Sequence, residues 1–209
     1  MSKERAQKIK VLLFDVDGVL TDGKIFLMPA PAGTHEQSTG AEAMQKAAAG
    51  PGYAIVSSTM IETKGFNAHD GTAISLARLG GIRTGLITKR VSETVKLRAR
   101  DLRLDFVYQG IQDKASCFDQ ICRDAGVTAA EVAFVGDDII DLPVMRRCGL
   151  AIAVKNARES VKDEAHVVMD HNGGDGAARD AVEYILKAQD KLERVVEEYI
   201  GERSPASRE

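Results

Sequence analysis

Six short apolar runs, most of them separated by a stretch long enough for one helix, constrain this 209-residue chain more than any other feature. They lie at residues 11–14, 84–87, 106–108, 132–135, 150–154 and 167–169 and are rich in β-branched and other large apolar side chains. Helical patterns fill residues 71–79, 92–102, 113–125 and 138–148 between them. The ends of these segments carry matching signals. Ser92 is a good N-cap, Gly126 a good C-cap, and Thr128-Ala129-Ala130-Glu131 reads as a capping box. Strands alternating with helices predict an α/β fold, a doubly wound parallel sheet, with residues 1–209 forming one domain. A single amphipathic helix is expected over about 176–200, because Val182, Ile185, Leu186, Leu192, Val195 and Val196 recur at helical spacing.

One region breaks the alternation. Residues 24–28 and 53–63 read as the arms of a β-hairpin flap spanning about 24–63. The intervening 29–52 forms a mobile tip punctuated by Pro29, Pro31, Gly33, Gly40, Gly50, Pro51 and Gly52, with room for a short helix at 42–49. Composition narrows the remaining classes. With 28 basic and 31 acidic residues and no basic block, nucleic-acid binding has no support. No apolar run approaches a membrane span, and the first ten residues lack an apolar signal core. Cys117, Cys122 and Cys148 fit neither a zinc pattern nor a disulfide framework, so free thiols in a reducing cytoplasm are expected. His35, His69, His166 and His171 show no metal-ligand spacing.

The strand ends carry the chemistry, because ligands of such sheets bind outside the carboxyl ends of the strands. The first run ends in Asp15-Val16-Asp17-Gly18, the second at Thr88, and the third leads within a few residues to Lys114. The fourth ends in Gly136-Asp137-Asp138-Ile139-Ile140-Asp141. Asp, Thr, Lys and Asp in that order meet the needs of phosphoryl transfer through an aspartyl-phosphate: a nucleophile, a proton donor and fixed positive charge. Asp15 is the expected nucleophile. Asp17, two residues on, is the general acid and later the base. Thr88 donates a hydroxyl and Lys114 supplies charge. Repulsion between a carboxylate and a phosphate calls for a hard cation, and Mg²⁺ suits Asp15, Asp137 and a carbonyl near Asp17, with Asp141 ordering a metal-bound water. Asp138 and Asp141 also fit as helix N-terminal acids. A phosphorelay receiver would place two adjacent acids after the first strand and its phosphoacceptor mid-chain, which is not the order seen.

Together these motifs resemble the four motifs of the haloacid dehalogenase-like phosphatases. A closer resemblance is to the 3-deoxy-D-manno-octulosonate 8-phosphate phosphatases. It rests on the Asp15 to Gly23 run, Phe66-Asn67 with Asp70-Gly71, Tyr108-Gln109-Gly110, the Gly136 to Met145 run, and Gly173-Gly174 with Gly176-Ala177 and Arg179. The resemblance implies a Mg²⁺-dependent homotetramer that removes phosphate from a sugar acid on the way to lipopolysaccharide. It further implies that Asp15, the Asp17 carbonyl and Asp137 hold the metal. Asp70, Gly71, Arg90, Arg98, Lys114 and Arg179 are then the residues assigned to substrate. Lys89 stands where the family usually has glycine, and the flap is longer than usual. Arg90 favours the eight-carbon substrate over the nine-carbon keto-deoxy sugar acid 9-phosphates, whose phosphatases tend to carry glutamate there.

Spacing alone gives one more expectation. Asp22 and Thr88 are 66 positions apart, and Thr88 and Lys114 only 26. Neither gap holds a large cap domain. The site still has to exclude water, so a neighbouring subunit is expected to close it, through the flap or residues 173–179.

Overall fold

The computed structural model describes residues 2–29 and 60–202. A helix α1 (Ser2–Ala6) leads into β1 (Val11–Phe14), every residue of which is buried. The flap strands β2 (Phe26–Pro29) and β3 (Met60–Thr63) follow. Then come α2 (Ala68–Leu79), β4 (Arg83–Ile87), α3 (Glu93–Leu102), β5 (Phe106–Tyr108), α4 (Lys114–Ala125) and β6 (Val132–Gly136). The chain ends with α5 (Leu142–Met145), β7 (Leu150–Ala153), α6 (Glu159–Lys162), β8 (Val167–Val168), α7 (Ala177–Ala188) and α8 (Leu192–Glu202).

The main sheet is parallel, in the order β5-β4-β1-β6-β7-β8. From β1 the chain winds outward through β4 and β5, then crosses back to wind the other way through β6, β7 and β8. The reversal leaves a crevice at the carboxyl end of β1, the topological switch point where such folds bind ligands. Register brings the strand ends level: Phe14 lies opposite both Leu86 and Val135. The doubly wound sheet is therefore as expected, and no large cap domain is seen among the described residues. One apolar core, with Phe14, Phe118 and Phe134 its largest fully buried side chains, packs between sheet and helices.

Three local expectations need correction. The helix expected over 176–200 is two helices. Asp190 adopts φ 54°, and the Lys191 N–H returns to the Leu186 carbonyl at 2.9 Å, closing α7 in the manner of a Schellman turn. The apolar positions keep helical spacing on both sides of the break, which is why periodicity did not reveal it. The span 138–148 is a 3₁₀ turn, Ile139–Asp141, followed by a single short helix, α5. The flap arms are Phe26–Pro29 and Met60–Thr63, so Pro29 belongs to a strand and pairs with Met60. The remainder of the expected tip, the helix at 42–49, the outer part of the second arm and His35 lie outside the described residues. Elsewhere the end signals agree: Gly126 caps α4 at φ 63°, and the Thr128 N–H donates to the Glu131 carboxylate at 2.9 Å. Ser92 occupies the N-cap of α3 without a side-chain cap bond. Its N–H is taken by Gln109 Oε1 at 2.8 Å instead.

Candidate active site

Asp15 directly follows β1, and its N–H donates to the Val135 carbonyl of β6 at 3.0 Å, which pins it between the two strands. Lys114, the first residue of α4, is buried and bridges two carboxylates. Its Nζ lies 2.9 Å from Asp15 Oδ1 and 2.7 Å from Asp141 Oδ1. Asp141 is fully buried, and its other oxygen accepts the Asp137 N–H at 3.0 Å. Asp141 thus ties Lys114 to the loop that presents Asp137, and both of its oxygens have partners within the protein. Asp138 plays the helix-terminus part, accepting the Ile139 N–H at 2.8 Å.

Carboxylate oxygens of Asp15, Asp137 and Asp141 lie within 4.8 Å of one another. Such crowding is costly in the absence of a counter-charge. Burial pushes the Asp15 carboxyl up to about 7, with Lys114 pulling down and Asp141 pushing up. Burial raises Asp137 to about 8, and the charges of Asp15, Asp141 and Asp138 add to it. Burial alone would lower the Lys114 ammonium, but the Asp15 and Asp141 carboxylates override it and leave it raised. Asp137 Oδ1 is buried with no hydrogen-bond partner. A buried, unpartnered carboxylate oxygen facing two further acids is the donor set of a hard cation site. The residues present therefore fit a divalent metal held by Asp15 and Asp137.

Glycines make room for this arrangement. Gly18 has φ 92°, and a Cβ there would lie 2.2 Å from Asp137 Oδ2. At Gly173 a Cβ would lie 1.6 Å from the Gly18 carbonyl oxygen, while the Gly174 N–H donates to the Val19 carbonyl at 2.9 Å. The 173–179 segment thus braces the Asp17–Gly18 turn of its own chain. Asp70 serves the same segment: it is buried, and its Oδ1 accepts the Arg179 N–H at 2.9 Å at the start of α7. Burial raises its carboxyl, and backbone N–H bonds from Arg179 and Gly176 oppose the shift. The Arg179 side chain turns to Glu183.

Thr88, buried at the end of β4, accepts the Arg90 N–H on Oγ1 at 3.3 Å, which leaves its hydroxyl proton to donate. The Tyr108-Gln109-Gly110 run braces this loop: the Thr88 N–H reaches the Tyr108 carbonyl at 2.9 Å, and the Gly110 N–H reaches Arg90 at 3.2 Å. The side-chain partners of Arg98 are other than Asp15, Asp137 and Asp141. Its guanidinium sits 5.7 Å from the Phe66 ring and across Gly71, and it pairs with Asp101 at 2.7 Å. Gly71 is the space Arg98 occupies.

Two residues that sequence reasoning missed complete the site. Lys64, one residue past β3, has a fully buried side chain whose Nζ hydrogen-bonds Asp17 Oδ1 and lies 3.2 Å from Glu62 Oε1. Glu62, within β3, hydrogen-bonds Arg90. Asp17 therefore sits among flap residues of its own chain and outside the Asp15–Asp137–Asp141 cluster. Glu62 and Lys64 are two apart on an extended arm, hence on one face, a spacing visible in the sequence that does not say what the face meets.

A haloacid dehalogenase-like hydrolase profile matches residues 86–180. The 3-deoxy-D-manno-octulosonate 8-phosphate phosphatase of Yersinia pestis is 33% identical over 190 residues, 91% of this chain and 86% of that protein. This chain belongs to that phosphatase family, among the haloacid dehalogenase-like hydrolases. The Escherichia coli K12 member is 32% identical over 189 residues, 90% of this chain and 85% of its own. Among solved structures, the Yersinia pestis phosphatase superposes with a TM-score of 0.75, covering 92% of this chain and 88% of that one at 33% identity. The Moraxella catarrhalis phosphatase, solved with magnesium, phosphate and 3-deoxy-D-manno-octulosonate (KDO), superposes with a TM-score of 0.76. It is 28% identical and covers 94% of this chain and 97% of that one. The expected family is thus borne out across nearly the whole chain.

Proposed function

We propose that this protein hydrolyses 3-deoxy-D-manno-octulosonate 8-phosphate to the free sugar acid and phosphate, with Mg²⁺, as a step toward lipopolysaccharide. The observation that carries the chemistry is the convergence of Asp15, Lys114, Asp137 and Asp141 at the carboxyl end of β1, with Asp17 held separately. Lys114 takes Asp15 Oδ1, which leaves Oδ2 to attack phosphorus. As that bond forms, the bond from phosphorus to the sugar oxygen breaks, and its electron pair leaves with the oxygen. Asp17 gives that oxygen its proton. In the second half, Asp17, now a carboxylate, takes a proton from water whose oxygen attacks phosphorus, releasing phosphate and restoring Asp15. The Thr88 hydroxyl and the Lys114 ammonium face the negative charge on the transferring group. Asp15, Asp137 and the Asp17 carbonyl would hold Mg²⁺, which would supply the charge that offsets repulsion between nucleophile and phosphate. Asp141 holds Lys114 and the Asp137 loop in place.

Arg90 is the substrate-side cation best placed by this reading, with Nε 3.7 Å from Asp17 Oδ2. Asp70, Gly71, Arg98 and Arg179 support the walls of the site and the segment that closes it. We further propose a cytoplasmic homotetramer. Phe26, Met28 and Ile61 share one face of the flap stem, Met28 lying opposite Ile61, and leave it apolar and exposed, and a second copy of this chain would cover it and finish closing the site. Free, largely buried cysteines agree with a reducing compartment.

The test is Mg²⁺-dependent phosphate release from a panel: the eight-carbon 8-phosphate, nine-carbon keto-deoxy 9-phosphates, hexose phosphates and an aryl phosphate, with and without chelator. Preference for the eight-carbon substrate, abolished by Asp15→Asn, is expected. A preference of more than about tenfold in kcat/KM for a nine-carbon substrate overturns the assignment, since one well-placed contact is worth about that factor. Sedimentation showing a fully active monomer refutes closure by a neighbour.

A further inference from the structure

Asp17 belongs to a closed ring of four charges of alternating sign. Lys64 bonds Asp17, Glu62 lies 3.2 Å from Lys64, Arg90 bonds Glu62, and Arg90 returns to Asp17 at 3.7 Å. Two edges, Lys64 to Asp17 and Arg90 to Glu62, are hydrogen bonds, and the other two are longer ionic contacts. The Lys64 side chain is 0% exposed and that of Glu62 only 9%. Withdrawing charges from water to this degree is costly, and a structural pair so placed is often no better than apolar residues of the same size. Stability is therefore a weak reason for a lysine here, and precise placement of Asp17 a better one. The ring is also how the flap reaches the chemistry. Glu62 and Lys64 belong to β3 and its extension, Arg90 follows β4, and Asp17 follows β1. Thr94 of α3 adds a hydroxyl bond to the Glu62 carbonyl at 3.4 Å.

We infer that Lys64 is the positioning residue for the acid–base carboxylate of Asp17, and that Glu62 is the strut that holds Lys64 and Arg90 in register with it. The inference rests on the phosphatase reading, in which Asp17 protonates the leaving oxygen. By taking Oδ1, the Lys64 ammonium fixes the plane of the carboxylate and leaves Oδ2 as the oxygen that exchanges the proton. General acid catalysis demands that the proton lie within hydrogen-bond reach of the departing oxygen as the bond to phosphorus breaks. Small misplacements of such a group cost rate steeply. Lys64 need not touch the substrate for this. It acts through Asp17, and it makes the flap stem part of the catalytic apparatus of its own chain, whatever covers the flap from outside.

The experiment compares two small aryl substrates that differ in the basicity of the leaving group, phenyl phosphate and 4-nitrophenyl phosphate. Nitrophenolate departs without a proton, whereas phenolate benefits from one. Because kcat/KM reports the steps up to departure of the leaving group, loss of a well-placed acid widens the gap between the two. In Lys64→Met, kcat/KM for phenyl phosphate is expected to fall on the order of 10²-fold, the low end of general acid catalysis. For 4-nitrophenyl phosphate the fall stays under about fivefold, because that leaving group draws little on the acid. With the eight-carbon sugar phosphate, kcat falls and KM stays within about twofold, the pattern of an interaction made only in the transition state. Lys64→Arg, which restores a cation, recovers part of the phenyl phosphate rate. Equal losses on both aryl substrates mean that Lys64 only supports the fold, and no loss on either means that Asp17 needs no help; each result overturns the inference. Should Lys64→Met fail to fold by circular dichroism, Glu62→Gln is run through the same pair. It keeps the side-chain volume, removes the strut's charge, and is expected to widen the phenyl to nitrophenyl gap on the order of tenfold; an unchanged gap overturns the inference. If the unmodified enzyme releases no phosphate from any substrate with Mg²⁺, the phosphatase reading itself falls. If it is active and the variants lose rate uniformly, only the role of Lys64 falls.

Discussion

Magnesium binding should be steeply dependent on pH, and the structure gives the size of the effect. Asp15 is raised to about 7 and Asp137 to about 8, so near neutrality the metal-free chain keeps a proton on Asp137 and part of one on Asp15. A divalent cation has to displace them, and binding therefore strengthens as pH rises. Across about pH 6 to about pH 9, displacement from a group titrating at about 7 changes the apparent affinity about tenfold, and from one at about 8 about a hundredfold. Together the dissociation constant for Mg²⁺ should fall about 10³-fold, with about two protons released per ion at the acid end and fewer than one at the alkaline end. Stability follows the same sign. Folded values above the ordinary carboxylate value of 3.8 mean that the metal-free protein keeps these groups' full contribution below about pH 4. It loses that contribution as pH rises through about 7 and about 8. Added Mg²⁺ should therefore raise the melting temperature little at the acid end and strongly at the alkaline end. Isothermal titration in buffers of different ionisation enthalpy counts the protons directly, and thermal unfolding with and without Mg²⁺ checks the stability. Asp137→Asn should flatten the dependence to about tenfold or less, because only Asp15 then titrates. Dissociation constants that agree within about threefold across the range would falsify the electrostatic account of the Asp15–Asp137 pair.

Lys114→Met removes the ammonium shared by Asp15 and Asp141 and leaves two buried carboxylates facing each other. Urea unfolding should show a loss of about 3–5 kcal/mol, the cost of breaking a buried pair from one side, and a loss under about 1 kcal/mol would show that water reaches the pair. Gly18→Ala has to relieve a Cβ lying 2.2 Å from Asp137 Oδ2 at a φ of 92°; Mg²⁺ affinity should drop at least about tenfold while the far-ultraviolet dichroism of the sheet is retained, and unchanged affinity would mean that the turn and Asp137 are independent. Replacing Phe26 and Ile61 on the flap by serine should shift the protein toward smaller species in sedimentation, since the change removes apolar area available to a second copy; an unaltered profile would place the interface elsewhere.

Much of this protein was legible in its sequence because its information is local and periodic. A four-residue apolar run followed by Asp15, Asp17 and Gly18 specifies a buried strand, a turn and an acid at the rim without reference to anything distant. The same holds for Thr88 after β4 and for Asp137 after β6. In a parallel sheet the carboxyl ends lie level, so residues that follow strands converge even when 122 positions separate Asp15 from Asp137. Helix ends were readable where a cap residue acts on its own neighbours, as at Gly126. They were not readable at Asp190, where an ordinary residue takes a left-handed turn and the apolar spacing carries on regardless.

What only the tertiary structure decided concerns the partners of each charge. Nothing in the sequence ties Lys64 and Glu62 to Asp17, because the pairing depends on how the flap folds back over the end of β1. Asp141 had two readings from its position in the chain; its bonds to Lys114 and to the Asp137 N–H make it the group that ties Lys114 to the Asp137 loop. Asp70 read as a substrate residue by resemblance and is found bonded to the start of α7. The sequence determined which chemical groups reach the rim of the sheet, because strand and turn propensities act over a few residues. The fold decided which of those groups neutralise one another, because electrostatic partnership is set by distance in space and by burial, and neither is written in spacing along the chain.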